Sequence, residues 1–161
     1  MTADDVEAMR LRRLEWIYKR YPIYYLTLVA HDRRSLFANR DIHAAFIAFS
    51  EKAFDRGVAV GRYVLMPDHI HLFAGFGASS PNLSNWVKSL KNSLSKSLRA
   101  TGVPPPHWQK DFFDRVLRTD ESYREKWECV RQNPVRAGLV KDADDWEFQG
   151  EICELGNSSF E

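Results

Sequence analysis

Apolar positions along this chain recur at two spacings, and the switches between them divide it into elements. Over residues 5–20, Val6, Met9, Leu14 and Ile17 are spaced loosely as one face of a helix, with Arg10, Arg12, Arg13, Lys19 and Arg20 between them. Residues 21–29, Tyr-Pro-Ile-Tyr-Tyr-Leu-Thr-Leu-Val, are aromatic and branched and predict a first strand, followed by a polar loop over 31–35. Asp41 is placed to cap a helix running to about residue 56, with Ile42, Ala45, Phe46, Phe49 and Ala53 on one side and Gly57 as its stop. Strands follow at 58–66 and 69–76, joined as a hairpin by the Pro67-Asp68 turn. Over 83–100, Leu83, Trp86, Val87, Leu90, Leu94 and Leu98 form a helical stripe, with Lys88, Lys91, Lys96 and Arg99 off it. Gly102-Val-Pro-Pro-Pro106 stops that helix.

A fourth strand is expected within 107–118, after an irregular lead-in. A helix is expected over 119–132, opening on acids and ended by Asn133-Pro134. Residues 135–140 suit a short turn or helix, and 141–161 carry too little pattern for an assignment. The order is β-α-β-β-α-β-α. This is the split-βαβ plan of the ferredoxin-like or RRM-like α+β folds: an antiparallel sheet with helices on one face and the other face free for a site.

Length and composition fit one domain. The 161 residues, 44% hydrophobic and 28% charged, are enough to bury a core. The domain expected is 1–161, with a basic arm at 1–20, a core at 21–140 and an acidic tail at 141–161. No apolar run approaches the roughly 20 residues that span a bilayer. The first residues lack a secretory pattern, and two cysteines build no framework, so a reducing cytoplasm is the expected setting. Net charge is only +1, but basic residues gather at 10–20, at Arg33-Arg34 and at 88–99, which gives local positive surfaces.

The candidate chemistry lies in the hairpin. A strand sends side chains to alternate faces, so His69 and His71 share one face while Ile70 and Leu72 share the other. Two adjacent imidazoles on a rigid strand make half of a divalent-metal site; the bland alternative is two ordinary histidines. His31, His43 and His107 are expected to be ordinary polar residues, and Trp86, Trp108 and Trp127 to be packing residues.

Three stretches then occur in order: Pro67-Asp-His-Ile-His71, Trp108-Gln-Lys-Asp-Phe-Phe-Asp114, and Glu121 to Val140 with its Asn-Pro-Val-Arg-Ala-Gly-Leu-Val ending. Together they resemble the REP-associated tyrosine transposases, a branch of the single-tyrosine HUH transposases, from about residue 21 to 140. The resemblance implies the fold above and a single-strand DNA endonuclease that recognises a hairpin with a short guide sequence at its foot. It implies that His69, His71 and Asn133 bind Mg²⁺ or Mn²⁺; mixed N and O ligands also accept Zn²⁺ or Co²⁺. It implies a tyrosine four residues before the third ligand, attacking a phosphate to give a covalent 5′-phosphotyrosine.

Here that position is Cys129. Three readings follow: loss of covalent cleavage with binding retained, which is favoured because a thiol is shorter than a phenol; Cys129 as the nucleophile; or Tyr123 acting instead, although six residues before Cys129 it points to another face. Asp68 and Asp114 can tune or join the metal site. Phosphate contacts are expected from Arg12, Arg13, Arg33, Arg34, Lys88, Lys91, Arg131 and Arg136, with Lys96 and Arg99 as further candidates. The partner expected is single-stranded or hairpin DNA, and a monomer is favoured. A non-catalytic hairpin-binding protein is the alternative, and a zinc protein using His69, His71 and Cys129 is a third.

Overall fold

The computed structural model describes residues 2–4, 23–118 and 120–155. The helix expected over 5–20, with Arg12 and Arg13, lies outside the described residues. Five strands form one sheet: β1 Ile23–Val29, β2 Val58–Leu65, β3 His69–Phe76, β4 Phe113–Leu117 and β5 Gln149–Glu151. Their order across the sheet is β4-β1-β3-β2-β5, and every neighbouring pair is antiparallel. Among the described residues from 23 on, four α-helices accompany them: α1 Arg40–Ala53, α2 Leu83–Ala100, α3 Asp120–Val130 and the short α4 Asn133–Arg136.

Local chemistry sets the helix ends. Asn39 caps α1, its Oδ1 accepting from the Ile42 N–H at 3.0 Å, and so takes the role expected of Asp41. Asp41 lies inside the first turn, where its charge still suits the helix dipole. After α1 a single 3₁₀ turn carries the chain to Gly57, whose φ of 85° is the left-handed stop that the sequence announces. Asn82 caps α2 in the same way through the Asn85 N–H.

The sheet buries both faces. Leu26, Leu28, Ile70, Leu72 and Ala74 point toward α1 and α2 and meet Phe46, Leu90 and Leu94 in the larger core cluster. The two helices expected between strands therefore do share one face. The third is the departure: α3 packs across the other face through Tyr123, Trp127 and Val130, against Ile23, Phe73, Ala59, Val64 and Leu117. Positions 123, 127 and 130 form one helical stripe, and Ala59 leaves room for it on the strand side. The face expected to be free is thus covered beside Phe73, and His71 and His69 continue the same row beyond it.

A bulge in β2 completes this seat. The register with β3 shifts between Val60 and Tyr63, so that Gly61 and Arg62 together oppose Phe73. The Arg62 N–H donates to the Tyr123 hydroxyl at 3.1 Å. A Cβ on Gly61 would lie 2.6 Å from Leu155 Cδ1 and 2.7 Å from Tyr123 Oη. Gly61→Val is therefore expected to destabilise the fold by about 1–3 kcal/mol, the usual range for overpacking. A urea titration checks this, and an unchanged midpoint would show that the bulge tolerates a side chain.

Residues 141–155, part of the stretch unassigned from the sequence, return to the sheet. β5 extends the edge of β2, Trp146 Nε1 donates to the Leu65 carbonyl at 3.1 Å, and Cys153 and Leu155 are buried. The ordinary histidines are as expected: His43 bonds Tyr63 Oη at 2.8 Å, and buried His107 bonds Ser95 Oγ and the Val103 carbonyl. Trp86 and Trp127 are buried, and Trp108 stacks on Phe37.

Candidate metal and nucleic-acid site

The hairpin that carries the histidines is fixed at its turn. Met66 N–H donates to the His69 carbonyl at 2.8 Å; the Pro67 carbonyl accepts from Leu36 and Phe37, and the Asp68 carbonyl from Ala30. Proline supplies no donor of its own, so the loop before α1 is tied to carbonyls alone. His69 and His71 lie on one sheet face, with ring centroids 4.7 Å apart and planes at 79°, while Ile70 is fully buried on the other.

Each imidazole is held by its Nδ1. Asp68 Oδ1 lies 2.8 Å from His69 Nδ1. A carboxylate can only accept, so neutral His69 carries its proton there and presents a lone pair at Nε2. His71 Nδ1 lies 2.7 Å from Tyr25 Oη and 3.0 Å from Thr27 Oγ1. Both partners come from β1, where Thr27 is the register partner of His71. Burial first, then the neighbouring His69, Lys126 and Arg136, push the His71 pKa down to about 3. His71 is therefore neutral at physiological pH, the form that binds a metal.

α3 supplies the second side of the site. Ser122, Lys126 and Cys129 follow the same i, i+4, i+7 rule on a stripe beside the buried one. Lys126 Nζ sits 4.8 Å from the centre of the Tyr25 ring. Burial raises the Tyr25 pKa, the Thr27 hydrogen bond lowers it, and the smaller influences of Cys129 and Arg136 place both of those groups in its surroundings. Arg136 reaches back to the Cys129 carbonyl at 2.9 Å.

Asn133 stands where α3 breaks. The residue four after Val130 is Pro134, which has no N–H to return to the Val130 carbonyl. Asn133 Nδ2 donates to that carbonyl instead, at 2.9 Å. The side-chain amide is thereby oriented, with Nδ2 spent on the helix end and Oδ1 left as an acceptor.

Residues 19–128 match the family described as Transposase IS200 like. The chain belongs to the IS200-like transposases. It is 24% identical over 135 residues to the REP-associated tyrosine transposase of Escherichia coli (strain K12), covering 81% of this chain and 79% of that protein. It is 22% identical over 140 residues to a Haemophilus influenzae protein named as a putative REP-associated tyrosine transposase, covering 78% and 77%. Among solved structures, a REP-associated tyrosine transposase bound to a REP hairpin matches with a TM-score of 0.65 at 24% identity, over 80% of this chain and 75% of that one. The resemblance and the α+β antiparallel fold read from the sequence both hold. The family match ends one residue before Cys129.

In this IS200-like transposase the basic residues sort by their partners. Arg33 is mostly exposed and lies 3.4 Å from Asp68 at the hairpin turn. Arg34 is tied to the Pro104 and Pro106 carbonyls, and Lys91 to those of Gln109 and Asp111. Both brace loops. Lys88, Lys91, Lys96 and Arg99 sit on α2, across the sheet from the histidines. Arg131 pairs with Asp144 and Glu128. Arg136, tied to the Cys129 carbonyl, lies near enough to His71 to help lower its pKa.

Sequence reasoning missed a cleft of about 370 Å³ between β4 and α3, lined by Arg115, Arg118, Lys126 and Cys129 among others. Arg115 faces the histidine side because it pairs with Tyr25. Asp114, by the same alternation, pairs with Leu26 and points away, so it does not join Asp68 at the imidazoles. Tyr123 is 5% exposed, bonded to the β2 backbone, and its pKa is raised by burial. That removes it as a nucleophile. Cys129 is exposed in the cleft.

Proposed function

We propose that this transposase-family protein binds a DNA hairpin with an unpaired foot and holds a divalent cation through Nε2 of His69, Nε2 of His71 and Oδ1 of Asn133. The donor set fits a hard or borderline cation: two imidazoles with Nδ1 engaged and one oriented amide oxygen. Mg²⁺ or Mn²⁺ is the ion proposed, and the same ligands accept Zn²⁺ or Co²⁺. Bound there, the ion would neutralise charge developing on a phosphate oxygen. Asp68, Tyr25 and Thr27 hold the two rings; Arg136 and Lys126 supply positive charge beside them; Arg115 and Arg118 extend it along the cleft. The observation that carries the reading is the pair of imidazoles turned to one face beside a basic cleft that ends at Cys129.

By the resemblance Cys129 stands where the attacking tyrosine is expected, and we infer that the present chain binds DNA without the covalent step. A cysteine side chain ends at its γ atom, several bonds short of a phenolic oxygen, so a phosphate placed for tyrosine lies beyond the sulfur. The same fact supports the second reading, a hairpin-binding protein that no longer cuts. The zinc alternative needs Cys129 beside the imidazoles, and no cluster of three His, Cys, Asp or Glu suited to a metal forms among the described residues. A monomer fits because α3 is seated on its own sheet by Tyr123 and Trp127. Among the described residues no helix is long and apolar enough to cross a membrane.

The test is a gel shift with hairpins carrying single-stranded flanks, across a salt series with Mn²⁺ present. Arg115→Ala and Lys126→Ala are each expected to weaken binding to every sequence alike and to reduce the salt slope by about one. No preference for hairpin over unstructured or duplex DNA would overturn the reading.

A further inference from the structure

Phe113 and Leu139 are the two exposed large hydrophobic residues among those described, at 64% and 45%. A lone apolar side chain on a surface is ordinary. The placement of Phe113 is not. It opens β4 at the sheet edge and is the register partner of Thr27, which in turn pairs with His71. Phe113, Thr27 and His71 therefore form one row on one face, and two strand spacings put the ring roughly 10 Å from the imidazole. Its neighbour Phe112 packs into the core, so alternation leaves Phe113 pointing out beside the site.

The backbone leading to it is fixed. Asp111 adopts a left-handed φ of 67°, and its carbonyl accepts from Lys91 Nζ at 2.6 Å. Trp108 Nε1 donates to Ser95 Oγ at 2.9 Å, anchoring the same lead-in to α2. A cleft of about 180 Å³ opens beside the ring, with Val29 in its wall and Lys110 and Asp111 at its lip. Two residues along the same strand face, Arg115 enters the larger basic cleft.

Building on the hairpin-binding reading above, we propose that Phe113 and its cleft take one unpaired nucleobase of the bound strand, stacked on the ring, while Arg115 meets the neighbouring phosphate. An aromatic face next to a cation is how single strands are held without base pairing. Lys110 and Asp111 bring opposite charges to this cleft, so it offers a phosphate no net attraction, while the exposed Phe113 ring offers a base a face to stack on. The row from Phe113 to His71 then lays the strand across the imidazoles, and Phe113 sets the position of the phosphate relative to them.

The experiment uses the full chain with hairpins carrying 2-aminopurine at each unpaired position in turn, and unstructured oligonucleotides as a second probe set. One position is expected to be quenched several-fold on binding. Phe113→Ala should abolish that quench and weaken binding roughly 5- to 150-fold, the scale of a stacked base. Phe113→Trp should retain both. An abasic site at the quenched position should weaken wild type equally and leave Phe113→Ala no further loss. Unchanged affinity and quench in Phe113→Ala, with wild-type hairpin binding intact, overturns the stacking site alone. A wild type that binds neither hairpins nor single strands overturns this site together with the reading beneath it.

Discussion

Cys129→Tyr is expected to convert a protein that holds its hairpin intact into one that cuts it, with a gain of at least about 10³-fold, the scale on which a nucleophile's presence acts. Cys129 is exposed in the cleft between β4 and α3, so a phenol there meets no buried neighbour. It would start one turn before Asn133, on the helix stripe that carries Lys126, with Arg136 tied to the backbone of the same residue. The phenolate would attack phosphorus and release the 3′ hydroxyl, leaving the 5′ phosphate joined to protein. A denaturing protein gel with labelled hairpin and Mn²⁺ reads the adduct directly. Tyr123→Phe, placed in the same background, should leave cleavage unchanged, because that hydroxyl is spent on the Arg62 N–H. Equal cleavage by the cysteine and tyrosine forms would make the thiol the nucleophile and contradict the account.

The second large effect concerns the imidazole that the fold holds from two sides. In the Cys129→Tyr protein, His71→Ala is expected to reduce cleavage at least 100-fold while hairpin affinity changes little. The cations proposed to meet phosphate, Arg115 and Lys126 among them, are left in place by the substitution. Tyr25→Phe with Thr27→Val removes both groups at Nδ1 and keeps the ring, so a loss of about 10- to 100-fold in activity or metal affinity is expected. Either single change should cost less, since one partner remains. Circular dichroism melts separate these outcomes from unfolding. A double variant with full activity would show that packing alone orients His71.

What could be read in advance was whatever depends on short spacing. The His69-Ile70-His71 alternation gave the shared face, the Leu83-to-Leu98 stripe gave α2, and Pro134 gave the break after Val130. The pairing of β1 with β3 was not readable in this way, because register is set by packing between distant segments. Tyr25 and Thr27 are for that reason the partners of His71 that spacing could not reveal. The seat of α3 also escaped, since it depends on the Gly61 bulge and on Leu155 returning from the far end of the chain. β5 is three residues long, too short for a period of two to show. Basic residues were the least legible. Arg34 and Lys91 look free in sequence and are spent on loop carbonyls, while Arg115 and Lys126 sit in unremarkable contexts and line the cleft. A charge is free or spent according to its neighbours in space.

His69, His71 and Asn133 are proposed to hold one cation. Calorimetric titration of the protein with Mn²⁺ tests it most directly, comparing wild type with His71→Ala and Asn133→Ala. One site per chain is expected, with no measurable site in His71→Ala and affinity weakened about 10- to 100-fold in Asn133→Ala. Unchanged Mn²⁺ affinity in Asn133→Ala, or no site in wild type, would contradict it.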